Sequence, residues 1–459
     1  MHHTSSSSGS RAIQPGADKR VSIHRYLWIV TLLLLGLTTG VVVVAQTTIP
    51  NWWGTEPTNI SGDLPIQSWQ PVIASDPSSG LLVVAWSNPP SEGAKNNIYT
   101  SHSTDNGYSW SDPTEIIATA MDSFKPDLTI AQDQIFVTWA EAEEASTPII
   151  YEAERTPSTS WEIHQIPISQ SLDISARPHL AIGGGKLHIV FSDEKDANIL
   201  YVARPITANT WMTATTIYTH TVSNEYSRYP VLAVAPDGQT LHLVWQESTF
   251  DTGEDVIKYM QGQASGDSVV WGPVDILSQR NQDMVEPDIV IDSGGNVHVI
   301  WVEVGALGTD EQYIRYTHNT GGSWMTPTMR IDPDQVRVHD SLPYFVTPKI
   351  AAWGAGEQMA LCVVWHGYRT DDVIEGATEE ILATCSYDMG NSWPPPKNVS
   401  HSSANDWSFS INPSIAFDIA GQLQVVWQEH AVDGLAQDYQ IYYSHAVNVI
   451  FLPLIVRIG

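Results

Sequence analysis

The stretch Ser103-Thr104-Asp105-Asn106-Gly107-Tyr108-Ser109-Trp110, STDNGYSW, decides how the rest of the chain is read. An Asp can accept backbone N–H groups within its own turn, a Gly supplies positive φ, and a Trp offers a large ring for burial between sheets. Asp, Tyr and Ser side by side are equally the raw material of a reactive loop. Recurrence separates the two readings, because a turn that belongs to a repeat serves the fold.

The segment recurs intact at Ser386–Trp393, SYDMGNSW, and as a near copy at Thr317–Trp324, THNTGGSW, with Asn319 in the Asp place. Copies ending at Trp161, Trp211 and Trp271 keep chiefly the tryptophan. Working outward, each copy closes a longer unit. A proline-led run recurs as QPVIA, KPDLTI, RPHLAI, YPVLAV, EPDIVI, TPKIAA and NPSIAF, with prolines at 71, 126, 178, 230, 287, 348 and 413. A β-branched run ending in an aromatic follows each (Trp86, Trp139, Phe191, Trp245, Trp301, Trp365, Trp427), and then a third run such as IYTSHS or IKYMQG. Strand-length apolar runs bounded by turn residues, repeated at a fixed order, predict four antiparallel strands per unit. Units that cannot bury both faces alone, repeated radially, predict an all-β propeller, with seven four-stranded blades and six as the alternative. The closing tryptophan is present only six times, and the missing piece resembles WGTEPTNIS, Trp53–Ser61. An N-terminal strand is therefore expected to complete the last blade and close the ring.

Ser-x-Asp-x-Gly-x-Ser-Trp resembles the Asp-box repeat of the sialidase-like propellers, and the repeat pattern extends the resemblance from about Trp53 to Ser444. The resemblance implies that Ser103, Asp105, Gly107, Trp110, Asn319, Gly321, Trp324, Ser386, Asp388, Gly390 and Trp393 are structural, on turns facing away from any ligand. Sialidases clamp a carboxylate with three arginines, whose planar fork matches it. Here Trp69 stands where the first arginine is expected, and Arg228, Arg177 and Arg369 can be gathered only from unequal positions of the repeat. The reading favoured is a non-catalytic propeller binding a glycan or protein. The alternatives are an active exo-sialidase-type hydrolase and a structural component of the cell envelope.

Composition sets the surroundings. With 21 Lys and Arg against 51 Asp and Glu, the net charge of −30 repels nucleic acid. Basic residues before an uncharged apolar run from Leu27 to Ala45 make residues 1–45 a signal peptide or N-terminal membrane anchor. Either would place residues 46–446, the propeller, outside the cytoplasm, secreted or anchored to the outer face of the membrane by residues 27–45. Residues 447–459 form an apolar tail outside the repeat register. A monomer is expected, touching membrane only through the N-terminal segment.

The loops between second and third strands are rich in acids, opposed by Lys95, Lys195 and Arg369. Two residues after the second-strand aromatic stand Glu141, Asp193, Glu247, Glu303 and Glu429. Equal positions in a ring converge, so these five are expected to form a partial carboxylate collar suited to Ca²⁺ or a cationic or sugar ligand. The plainer reading makes them internally bonded. His188, His242 and His298 share one strand position and are read as packing or inter-blade hydrogen-bonding residues. Cys362 and Cys385 fall opposite one another across one hairpin, the arrangement of a cross-strand disulfide.

Overall fold

A computed structural model describes residues 56–446 apart from 63, 65–66, 144–147, 169–176, 194–197, 221–224, 250–254, 279–282, 306–310, 327, 332–335, 338–345, 355, 357–358, 368–378, 402–408 and 432–437. The segment 1–45, the tail 447–459 and Arg369 lie outside the described residues. Among those described there is no α-helix, and so none long and apolar enough to cross a membrane.

Seven antiparallel sheets form the blades. Blade 1 holds Trp69–Ser75, Leu82–Asn88, Asn97–Ser103 and Thr114–Glu115; blade 2 holds Asp122–Ala131, Gln134–Ala142, Ile149–Arg155 and Glu162–Gln165. Blades 3, 4, 5 and 6 begin at His179, Glu225, Met284 and Lys349 and repeat the order. Blade 5 replaces a single outer strand with three short pieces paired to Glu311–Thr320. Every first strand touches the first strands of both neighbouring blades, so the seven first strands line the axis. Blade 7, Phe409–Phe417, Leu423–Ala431 and Asp438–His445, takes Thr58–Asn59 as its outer strand, with Thr58 opposite Tyr443 and Asn59 opposite Tyr442. The ring is thus seven-bladed and closed by its two ends, and the six-bladed alternative falls.

The core lies between blades. Trp86, Trp139, Phe191, Trp245, Trp301, Trp365 and Trp427, one per blade, are all buried. Cys362 and Cys385 are joined by a disulfide across paired strands of blade 6.

The opening segment is a closed hydrogen-bonded loop. Asp105 Oδ1 accepts from the backbone N–H of Ser109 at 2.8 Å and from Ser103 Oγ at 2.8 Å, while Gly107 N–H donates to Ser103 Oγ at 2.9 Å. These bonds hold the Asp105 carboxyl below its ordinary pKa, the Ser109 hydroxyl contributing most. Asp388 is bonded in the same way by Ser386 and Ser392. A side chain on Gly107 would collide with Tyr443 of blade 7, and one on Gly390 with Tyr316 of blade 5, so each turn is seated on the preceding blade. Thr317–Trp324 departs from this pattern. Gly321 and Gly322 both have positive φ and make a two-residue hairpin, placing Asn319 in a strand opposite Trp324 rather than inside a loop.

The histidine column completes that seating. His188, His242 and His298 meet Tyr201, Tyr259 and Tyr316 of their own blades at 2.7, 2.8 and 2.8 Å. Those tyrosines pack edge-on against Trp271, Trp324 and Trp393 of the next blade. The hydrogen bond is therefore within the blade, and the tyrosine ring carries the contact between blades.

Candidate functional site

The carboxylate column is internally bonded. Glu141 is buried and accepts from Trp139 Nε1 at 2.9 Å and Ser123 Oγ at 3.1 Å. Glu247 accepts from Trp245 Nε1 at 3.0 Å and Ser227 Oγ at 2.8 Å, with Lys258 Nζ at 3.2 Å. Glu429 accepts from Trp427 Nε1 at 2.7 Å and Ser410 Oγ at 2.5 Å. The serine comes from the first strand, the tryptophan and acid from the second, so each carboxylate pins two strands of one blade. In blade 5 Met284 stands in the serine place; Trp301 Nε1 points to its sulfur, and Glu303 instead takes a two-pronged bond from Arg315. Asp193 is fully buried. Burial raises the Glu141 pKa. This donor set fits a blade fastener better than a Ca²⁺ site, which needs several oxygens turned to one point.

The sequence signal for this arrangement is a Ser three residues before the repeat proline, at positions 68, 123, 175, 227 and 410, of which 175 lies outside the described residues. In blade 1 the pair is neutral, Ser68 donating to Asn88 at 2.8 Å.

The first strands, which line the axis, share a feature at the residue before the repeat proline. In blades 1, 2, 4, 5 and 7 the first strand carries a bulge at one rung, between Trp69 and Val72, Phe124 and Asp127, Arg228 and Val231, Val285 and Asp288, and Ile411 and Ser414. Two residues there oppose one second-strand tryptophan. The pre-proline residues Gln70, Lys125, Tyr229, Glu286 and Asn412 all have left-handed backbone, φ 50 to 54°. That conformation costs a non-glycine residue ~1–2 kcal/mol, and a following proline does not favour it. The surrounding sheet enforces it five times.

Three of the five bulge N–H groups are met from the blade before. Gln70 N–H donates to Gln428 Oε1 at 3.4 Å, Lys125 N–H to Gln70 Oε1 at 3.0 Å, and Glu286 N–H to Gln246 Oε1 at 3.3 Å. Arg177, which precedes Pro178 in blade 3, stacks over the Tyr229 ring of blade 4 at 4.2 Å. It then reaches Glu286 of blade 5 at 3.4 Å. The result is a partial belt of inter-blade contacts beside the axis: three backbone N–H groups held by glutamine amides of the preceding blade, and Arg177 joining Tyr229 to Glu286. It lies toward the end where second strands pass into third strands, away from the Ser103–Trp110 turn.

Of the three candidate arginines, Arg177 belongs to this belt. Arg228 stands one position earlier in its strand, opposite Gln246, with its guanidinium 5.7 Å from the Tyr226 ring. Its charge acts on Asp255, opposing the burial that raises that carboxyl's pKa. Arg177 and Arg228 thus occupy different columns of the repeat. The pre-proline letters Q, K, R, Y, E, T and N are visible in the repeat alignment, but their convergence requires the bulge.

No protein-family model matches the sequence, and no curated protein matches it. Among solved structures, a Trypanosoma rangeli sialidase in complex with sialic acid is similar at 8% identity over 87% of this chain, TM-score 0.45. This chain covers 58% of that protein's length. The NanB sialidase of Streptococcus pneumoniae is similar at 11% identity over 88% of this chain and 72% of its own, TM-score 0.46. A Penicillium chrysogenum α-L-arabinanase complexed with arabinobiose is similar at 16% identity over 68% of this chain and 94% of its own, TM-score 0.45. These likenesses concern the propeller fold and say nothing of a shared activity.

Proposed function

We propose that the chain is an exported, non-catalytic propeller that binds a glycan at the axial belt formed by Gln70, Lys125, Arg177, Tyr229, Glu286 and Asn412. The observation that carries this reading is the left-handed pre-proline bulge held at one rung of five blades. Bulges and strained φ gather where a fold re-aims side chains for use. Amides, a guanidinium and a carboxylate supply paired donors and acceptors of the kind that match vicinal hydroxyls, and Tyr229 supplies a ring for a sugar face. The Trp, Ser, Arg and Lys partners of Glu141, Glu247, Glu303 and Glu429 support the non-catalytic side, because those acids already serve the blades.

Screening the full chain on a glycan array, followed by calorimetric titration of the best hit, tests the proposal. Arg177→Ala and Tyr229→Asn should each weaken binding about tenfold, equivalent to ~1.4 kcal/mol, while Asp105→Asn on the opposite end leaves it unchanged. Binding that ignores both belt substitutions sinks the site. Release of fluorophore from a sialoside by the full chain sinks the non-catalytic reading.

A further inference from the structure

On blade 2 the pairing of Ile149–Arg155 with Glu162–Gln165 sets Glu154 opposite Glu162 and Glu152 opposite His164, so all four side chains share one face. One carboxylate oxygen of Glu154, one of Glu162 and one ring nitrogen of His164 lie within 4.8 Å of one another. Glu154 divides its oxygens. Its Oε2 accepts from Gln134 Nε2 at 2.6 Å and lies 2.9 Å from Arg204 of blade 3. Its Oε1 faces His164 Nε2 across 3.7 Å, too far for a hydrogen bond. That nitrogen is shielded from solvent and has no hydrogen-bond partner. Glu152, fully buried, has one oxygen on Arg204 at 3.1 Å and the other without a partner.

A buried ring nitrogen turned toward a carboxylate oxygen across such a gap is the spacing of two ligands on one ion, which stand about 3–4 Å apart when each bond is about 2.0–2.2 Å. We propose that Glu154, Glu162 and His164 bind one divalent transition cation of the Zn²⁺ type. The imidazole nitrogen sets the class, since Ca²⁺ and Mg²⁺ take oxygen sets. Glu162 also accepts from Asn209 Nδ2 of blade 3 at 3.1 Å, so the ion would fasten the outer strand of blade 2 beside its neighbour.

Calorimetric titration of the metal-free full chain with Zn²⁺ and, separately, Ca²⁺ tests this. Other histidines and acids will also take up Zn²⁺, so the comparison is with His164→Gln and Glu162→Gln. The expected result is one fewer Zn²⁺ bound per chain in each variant, with unchanged melting temperature before metal is added and a smaller rise after it. The wild-type Ca²⁺ titration should be indistinguishable from that of the variants. Equal Zn²⁺ stoichiometry in wild type and either variant overturns the site. A Ca²⁺ response lost in both variants overturns the assignment of metal class.

Discussion

At the scale of the residue, the protonation of buried polar groups is where pH enters. His188, His242 and His366 are buried, and burial pushes each pKa down to about 4. In the unfolded chain they titrate near 6.5, so they are neutral when folded and take up protons on unfolding below that value. Their contribution to stability is therefore complete above pH ~6.5 and is lost as pH falls from ~6.5 through ~4. The penalty reaches up to ~3 kcal/mol for each fully buried ring. Glu152, raised to about 8 by burial, works in the opposite sense and favours the folded state at lower pH. Chemical denaturation of wild type and His242→Gln between pH 7 and pH 4 should show the variant losing less stability on acidification. Glutamine is already used at this column, where Gln424 meets Tyr443. An identical acid slope in both would remove His242 from the account.

At the scale of the element, the first strand is where sequence and structure part company. Its proline, its length and its place in the repeat were legible, because alternation and turn residues mark strands. The bulge was not legible, since a pre-proline residue is expected in extended backbone and nothing in QPVIA or EPDIVI signals positive φ. Likewise the column Glu141, Glu247, Glu303, Glu429 was visible as a period, while the pairing of Glu141, Glu247 and Glu429 with Trp and first-strand Ser, and of Glu303 with Arg315, needed the register. The degenerate turns show the same limit. Glu154 and Arg204 stand seven residues before Trp161 and Trp211, the place of Ser103 before Trp110, and form a buried ion pair at 2.9 Å across blades 2 and 3. What reads as loss of a motif is replacement of a loop's internal bonds by a bond between blades. The bulge makes its own prediction. Lys125 sits at φ 54°, so Lys125→Val should cost about 1–3 kcal/mol, whereas Lys125→Asn should be near neutral because Asn tolerates left-handed backbone. Equal denaturation midpoints for the two variants would show that the bulge stores no strain.

At the scale of the whole molecule, the closed ring turns seven marginal sheets into one cooperative body, and its join rests on an outer strand as short as those of blades 1 and 6. Thr58–Asn59 supplies two residues to the outer edge of blade 7, against nine residues in the outer strand of blade 4, Ser268–Ile276. Side chains make up for the short ladder. The one hydroxyl proton of buried Ser61 is shared between Asn59 Oδ1 at 2.9 Å and Gln440 Oε1 at 2.8 Å, and its oxygen accepts from Ile441 N–H at 2.9 Å, while Ile60 is buried in the cluster that holds Trp86 and Tyr443. Closure thus depends on Ile60 and Ser61 as much as on backbone pairing, and removing them uncovers blade 7 and loosens its contact with blade 1. Ser61→Ala leaves the Ile441 N–H and Gln440 without this hydroxyl and should cost ~1–3 kcal/mol. Deleting residues 56–61 should cost more and broaden the thermal transition, because an open ring lets blades 7 and 1 unfold before the rest. Hydrogen exchange of Asp438–His445 and Leu82–Asn88 would then rise in the deletion chain ahead of exchange in blades 3 and 4. Uniform exchange across all blades would mean that the two ends contribute no more to cooperativity than any other blade border.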